Sequence, residues 1–410
     1  MHTHDVVIVG GGPAGLVAAA RLASSGADVA VLEEHAESGL PVHCTGVLAA
    51  DAFAEFDLPR TSILNPLRRV RFHAPSGETV AHETDDVEAV VIDRHRFDQH
   101  LAGAARAAGA QLVTGTRVTA IERRPGSVQV LCRDRNPVHA RAAILACGAN
   151  YGLVKSVGLG LPTHWLQSAQ LELPARTGGD VEVFFGNAVA PRGFAWTVPV
   201  ERAHGRFVRV GLMCDAGAAD YFARFVARVG PRWGLGGGVA GVPRVKMLPL
   251  APVRRTFSDR VLAVGDAAGL VKATTGGGIY YSLVSGTLAA QVLATGLAAD
   301  RLGALDLAPY ERQWRSQLGT ELGAQLSLRQ LANRLDDAHI DELFDLARTD
   351  GIVPLMRRTA RFNQHRHLIV ALFRHPSARD ILFRRLGSPW RTALTASAMA
   401  AGAGSGTRTS

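Results

Sequence analysis

The chain has 410 residues, 47% of them apolar and 20% charged. That length and balance allow two or three modules around a large buried core and exclude a wholly disordered chain. The formal charge of +9 is modest and almost all Arg, since Lys occurs only at 155, 246 and 272; with no aromatic–basic module beside it, no nucleic-acid partner is expected.

In chain order, residues 5–10, DVVIVG, read as a buried parallel strand. The turn Gly10–Gly15 follows, then LVAAARLASSG at helical spacing, stopping at Gly26. Residues 28–33 read as a second buried strand, completing a βαβ unit. Residues 67–92 alternate around the turn Pro75-Ser-Gly77 and predict antiparallel hairpin strands. Asp93 to Gly109 predicts a helix with Phe97, Leu101, Ala105 and Ala108 on one face. Strands are expected at 111–123, 127–133 and 141–146, and again, broken by turns, across 165–213. The Gly-rich residues 230–241 read as a loop, 260–264 as a strand, and the chain from Ile279 onward as mostly helix.

No stretch reaches the length of an uncharged transmembrane helix, and MHTHD lacks the basic start of a signal peptide. Cysteines at 44, 132, 147 and 214 form no CxxC pair and no metal-ligand spacing. Reduced thiols, no metal and a cytoplasmic location are the expectation.

Residues 10–15 fit GxGxxG. Gly10 permits the tight turn, Gly12 lets a pyrophosphate approach the backbone, and Gly15 lets helix and strand pack, with Pro13 and Ala14 between them. The helix start offers free N–H groups to phosphate. Glu33, followed by Glu34, ends the second strand about 20 residues on and is placed to accept ribose hydroxyls. A carboxylate there disfavours a 2′-phosphate, so this does not read as an NADP site. The segment VLAVGDAAGLVKATTGGGI turns the reading toward FAD. Gly265-Asp266 at a strand end puts a carboxylate near ribityl hydroxyls. Gly276, Gly277 and Gly278 let backbone N–H groups approach an anionic ring edge, and the helix from Ile279 aims its positive end there.

These residues resemble the flavoproteins of the p-hydroxybenzoate hydroxylase fold, and among them the geranylgeranyl reductase family. The resemblance rests on the fingerprint with Glu33, on Asp93-Arg94 with Phe97-Asp98, on Pro41-Val-His-Cys44-Thr-Gly46, on Pro191-Arg-Gly-Phe194-Ala-Trp196-Thr-Val-Pro199, and on GDAAGLVKATTGGGIYYSLVSG. It covers roughly residues 5–300. It implies hydrogenation of isolated C=C bonds in a polyprenyl chain by reduced FAD. It implies that Cys44 lies beside the flavin in the active site, as the candidate group on the proton path. Phe194, Trp196 and Pro199 fall in the segment that lines the prenyl cavity, Arg94 matches a FAD contact, and Val118 matches a position whose backbone meets adenine. Phe194 stands where relatives often have Tyr, Val198 where they have Phe, and Ala273 where many have Pro. A FAD-dependent monooxygenase or halogenase of the same fold is the alternative.

The expected fold class is α/β (mixed α+β). A Rossmann-like FAD-binding domain (1–64, 93–160, 255–300) is interrupted by an antiparallel-sheet substrate domain (65–92, 161–254). A helical region (301–400) and a flexible tail (401–410) follow. The Arg/His-rich segment 354–391 reads first as a helical cap with a solvated basic face. Peripheral contact with an anionic membrane is the sharper reading. With no second dinucleotide fingerprint, the external electron donor is open between NAD(P)H and a ferredoxin-type redox partner.

Overall fold

The structure, a computed structural model, describes residues 2–236, 241–349 and 351–384. The β-branched run at the start becomes the strand Thr3–Val9, with Val6, Val7 and Ile8 fully buried. It sits at the middle of a sheet ordered 257–258, 261–263, 138–145, 3–9, 29–32 and 111–113. The pairs inside that order are parallel except the outermost, 257–258 with 261–263. The hairpin Val118–Arg124/Ser127–Cys132 adds antiparallel to Val138–Leu145. The chain leaves Thr3–Val9 to one side and returns on the other, so a crevice opens at the carboxyl ends of the strands beside Gly10.

Two helices pack on this sheet with their N-termini toward that crevice. Pro13–Ser24 starts with Pro at its first position, where the missing N–H costs nothing. Ile279–Ala298 crosses it so closely that a Cβ on Gly286 would lie 2.3 Å from the Ala14 carbonyl oxygen. Ile279–Ala298 also corrects one expectation: it is 20 residues without a charge, long and apolar enough to cross a membrane. It is 67% buried within the protein, and its uncharged surface is that of a core helix. Arg94–Ala107 is capped by Asp93, whose carboxylate accepts from the Arg96 N–H at 3.1 Å.

A second sheet of seven strands runs 244–249, 165–174, 205–214, 194–202, 181–184, 69–73 and 79–83. All neighbours are antiparallel except 181–184 with 69–73. One face is covered by the helix Ala218–Trp233, whose Phe222, Phe225 and Trp233 pack on Val208, Val210 and Leu212. The other face looks toward the nucleotide sheet and the C-terminal helices.

Residues 67–92 do not form a simple hairpin set. Only Arg69–His73 and Thr79–Glu83 join the large sheet, while Ile63–Leu67 and Ala89–Ile92 pair with Val47–Ala49 in a separate three-stranded sheet. All four residues of Ala89–Ile92 are buried, so this strand has no polar face to show in the sequence. The expected strand 111–123 breaks at Gly115, where φ is +63°. The expected loop 230–241 is helical as far as Trp233, and Gly234 in the left-handed region ends it. Beyond Ile279 the elements among the described residues are helices, the longest being Ala304–Ala332. Residues 385–391 of the basic segment and the tail 401–410 lie outside the described residues.

Candidate active site

Gly10 has φ +109°, and a Cβ there would fall 2.3 Å from the Ala146 carbonyl oxygen at the end of the neighbouring strand. A Cβ on Gly15 would meet the Gly10 carbonyl oxygen at 2.2 Å, while one on Gly12 would meet nothing within 4 Å. The turn is therefore closed on the protein side and open at Gly12. Gly12 caps the helix without a side-chain hydrogen bond, leaving the first N–H groups free for phosphate. Glu33 Oε2 accepts the Gly11 N–H at 2.7 Å and Oε1 accepts the His35 N–H at 2.9 Å. Oε2 keeps a lone pair for a ribose hydroxyl. Glu34 is exposed beside it, and Val118 is buried on the strand that follows the Thr114–Thr116 bend.

Gly265 packs against the same helix start, where a Cβ on it would lie 3.2 Å from the Ala14 Cβ. Asp266 follows, and its carboxylate accepts no hydrogen bond from the described residues. Its backbone carbonyl accepts from the Tyr151 hydroxyl. Burial pushes the Asp266 carboxyl pKa up, as expected for an acid waiting for donors. Gly276 has φ +72° and sits against Leu248 and Met213 of the second sheet. A Cβ on Gly278 would come 2.7 Å from Asp266 Oδ1. The helix from Ile279 has no side-chain cap, so its N–H groups are also open. Two uncapped helix starts, one unpartnered carboxylate and glycines where a side chain would fill the crevice fit the phosphates, ribityl chain and ring edge of FAD.

Cys44 lies across this crevice. Its Sγ accepts the Gly46 N–H at 3.3 Å, and it stands beside Arg94. Arg94 is paired with the buried Asp98 at 2.9 Å; burial opposes its charge, but Asp98 holds its pKa above the ordinary range. Thr45 donates to Gln170, and Arg209 donates to the Thr45 carbonyl at 2.6 Å, tying this loop to the second sheet. His43 is half-buried with Nδ1 unpartnered, and burial together with Lys246 and Arg244 pushes its pKa down to about 4.

Between the loops at 44–46 and 274–278 lies the inner face of the second sheet. Trp196 covers Gly211 there, a Cβ on Gly211 falling 2.4 Å from the indole, and the Trp196 Nε1 is buried without a partner. Phe194 is on the same face, 5.6 Å from Trp196 between ring centroids, and lines an apolar cavity of about 660 Å³. Trp196 is not among that cavity's lining residues and forms the floor between the two loops. Pro199 requires a correction. Strand residues alternate faces, so 194, 196, 198 and 200 point inward and Pro199 points to the face covered by Ala218–Trp233. It does not belong to the substrate surface.

Comparison with known proteins gives the lineage. The chain is 31% identical over 364 residues to a digeranylgeranylglycerophospholipid reductase of Methanoculleus marisnigri, covering 83% of this chain and 89% of that one. It is 31% identical over 362 residues to digeranylgeranylglycerophospholipid reductase 2 of Methanothermobacter thermautotrophicus, covering 83% and 90%. The chain belongs to the geranylgeranyl reductase family. It is an FAD-dependent oxidoreductase by that membership. The lycopene cyclase protein family matches residues 5–171. Among solved structures, a geranylgeranyl bacteriochlorophyll reductase-like protein of Thermoplasma acidophilum superposes with a TM-score of 0.81 at 22% identity, covering 94% of this chain and 99% of that one. A halogenase in complex with FAD superposes with a TM-score of 0.67 at 15% identity, covering 98% and 91%. Both show the shared fold.

In this geranylgeranyl reductase family member the C-terminal region clamps the loop 272–278 through residues that carried no signal in the sequence. Arg329, on Ala304–Ala332, donates to the carbonyls of Ala273 at 2.9 Å, Thr274 at 3.0 Å and Arg192 at 2.9 Å. Lys272 donates to the Phe362 carbonyl at 2.5 Å and to Asn363 Oδ1 at 3.1 Å, and burial pushes its pKa down to about 7. Thr274 is hydrogen-bonded to His365 at 2.6 Å. All these contacts span more than 50 residues of chain, beyond any local pattern. Asp98, already named in the pattern Asp93-Arg94 with Phe97-Asp98, stands four residues after Arg94 on one helix, where the pair is a local one.

Proposed function

We propose that this oxidoreductase hydrogenates isolated C=C bonds of a polyprenyl chain carried on a polar head such as a glycerophospholipid. The observation that carries the reading is the apolar cavity of about 660 Å³, whose lining includes Thr274 and Thr275 of the loop 272–278. It continues between Phe194, Phe72 and the C-terminal helices. The digeranylgeranylglycerophospholipid reductases among its relatives support the same reading.

Reduced FAD supplies the hydride equivalent when bound. The chain's own part is to hold an alkene in a dry site and to deliver a proton. Phe194 and Phe344 exclude water and hold the chain by contact. Asp266, Glu33 and the two helix starts hold the cofactor. Cys44 is proposed as the group on the proton path, with Arg94 beside it fixed by Asp98. The electron donor is proposed to be external, either NAD(P)H or a ferredoxin-type carrier. A cytoplasmic protein touching anionic membrane through exposed Arg358, His367 and Arg374 would give a lipid access.

The test is mass spectrometry after anaerobic incubation of the reduced holoenzyme with prenyl phosphates, prenyl glycerophospholipids and prenylquinones. Mass gains in steps of two hydrogens are expected. No gain on any of them, with oxygen-dependent product in a parallel aerobic reaction, would replace this reading by a monooxygenase or halogenase one.

A further inference from the structure

The amino end of the central sheet carries a group of side chains that neither the flavin crevice nor the cavity uses. His2 immediately precedes the strand Thr3–Val9, and His4 is its second residue. Two residues apart on extended chain, they point the same way, and their rings meet edge to face with centroids 4.6 Å apart. Both converge on the carboxylate of Asp28, just before the strand Val29–Leu32. His2 Nε2 lies 2.7 Å from Oδ2, and His4 Nδ1 lies 3.0 Å from Oδ1. The three ligand atoms fall within 4.8 Å of one another, and this is the one such group of His, Cys, Asp and Glu among the described residues.

Two of the three side chains are placed by the fold itself. His4 is 10% exposed, and its backbone is registered against Ala140 in the sheet. The Asp28 carbonyl accepts the N–H groups of Asp5 at 2.9 Å and Val6 at 3.1 Å, and its own N–H donates to Asp5 Oδ2 at 3.0 Å. His2 is the exposed member that closes the group. A tetrahedral ion with bonds of about 2.0–2.1 Å spaces its ligand atoms roughly 3.3 Å apart. The two imidazole–carboxylate contacts therefore need to open by only about 0.3 to 0.6 Å. Charge favours a cation here. Asp28, Asp5 and Asp300 bring three carboxylates together, against Arg141, which pairs with Asp5 at 2.9 Å and Asp300 at 2.8 Å, and Arg260, which donates to the Arg141 carbonyl. Two imidazoles and one carboxylate select a borderline transition ion over Mg²⁺ or Ca²⁺, which take oxygen ligands. Each neutral imidazole coordinates through the nitrogen that faces Asp28 and carries its proton on the other, so binding needs a change of tautomer and no redox partner.

We propose that His2, His4 and Asp28 form a site for a divalent transition-metal ion of the zinc class, which staples the first strand to the turn before the second. The site stands six residues from Gly10 along the strand, roughly 20 Å from the flavin crevice. The role of the ion is mechanical: it ties the βαβ unit at the end away from the cofactor.

The experiment uses untagged full-length holoenzyme, stripped with chelator and desalted. Zn²⁺ is titrated by calorimetry, and thermal unfolding is followed at several zinc concentrations. One equivalent should bind, and the unfolding midpoint should rise with zinc. His2→Gln, at an exposed position, should keep the metal-free midpoint and flavin content close to those of the wild type. It should weaken zinc binding by about ten-fold or more and abolish the rise. Asp28→Asn should also lose the rise; if that variant does not fold, His2→Gln carries the test by itself. Mg²⁺ should give no rise in any form. Cu²⁺ bound in place of zinc should show electron paramagnetic resonance splitting from two nitrogens in the wild type and from one in His2→Gln. The absence of a zinc-dependent rise in the wild type would overturn the proposal. So would an equal rise in His2→Gln, or a copper spectrum with the same nitrogen count in both proteins.

Discussion

At Gly278 a single hydrogen separates a cofactor site from a blocked one. Its missing Cβ would lie 2.7 Å from Asp266 Oδ1, so Gly278→Ala is expected to yield folded protein with strongly reduced FAD content, read from the ratio of flavin to protein absorbance. Gly103 is the contrasting case, on an exposed helix face with nothing within 4 Å of its Cβ position. Gly103→Ala should raise stability by about 0.5–1 kcal/mol in thermal unfolding and leave flavin content alone. Glu172 holds two arginines at once, Arg202 at 2.7 Å and Arg209 at 2.8 Å, and Arg209 is only 2% exposed. Burial pushes the Glu172 carboxyl up, but the two guanidinium groups outweigh it and its pKa stays below the ordinary value. The unfolded chain then binds the proton more readily. The stabilisation is fully present above the ordinary carboxylate pKa and is lost as pH falls through the lowered one. Glu172→Ala should cost on the order of 3 kcal/mol at neutral pH, because it strands buried positive charge, and should flatten the acid limb of the stability curve.

Elements in this molecule are joined by close backbone approach and by buried donors. The crossing of Pro13–Ser24 and Ile279–Ala298 depends on Gly286, whose added Cβ would meet the Ala14 carbonyl oxygen at 2.3 Å. Gly286→Val should therefore lower the melting temperature and loosen both uncapped helix starts at the crevice together, a loss of flavin coupled to a loss of stability. Lys272 joins the flavin loop to residues 362–363 and has its pKa pushed down to about 7 by burial. Between that value and the ordinary lysine pKa the unfolded chain holds the extra proton, so stability rises with pH across the window. Below about 7 both states are protonated and the full burial penalty applies. In Lys272→Met this rise from pH 7 toward 10 should vanish, as measured by chemical denaturation at each pH. An unchanged slope would place the titration elsewhere.

At the scale of the whole molecule, the C-terminal helices close a cavity that the sheet alone would leave as a groove. Phe344 packs 6.0 Å from Phe185 between ring centroids and lines that cavity, as does Leu343. Neither touches the nucleotide turn. Leu343→Asp with Phe344→Asp should leave flavin content near normal and abolish binding of a prenyl ligand, measured by the flavin spectral change. Simultaneous loss of both would mean that the helices also hold the cofactor domain together.

The amino-acid sequence alone determined the two glycine-rich loops that meet at the crevice and fit a flavin cofactor. Gly10–Gly15 with Glu33, and Gly265-Asp266 with Gly276–Gly278, are short-range patterns in which glycine spacing and an acid at a strand end are themselves the chemistry. It also placed Phe194 and Trp196 on one face, because strand alternation is local, and the same alternation turns Pro199 away. The three-stranded sheet, the Arg329 and Lys272 clamps and the cavity were decided only in three dimensions. Ala89–Ile92 is buried on both faces and so shows no alternation, and Arg329 reaches carbonyls 55 to 137 residues away. A buried cation and a channel wall are properties of what packs around a residue, and no periodicity along the chain records them.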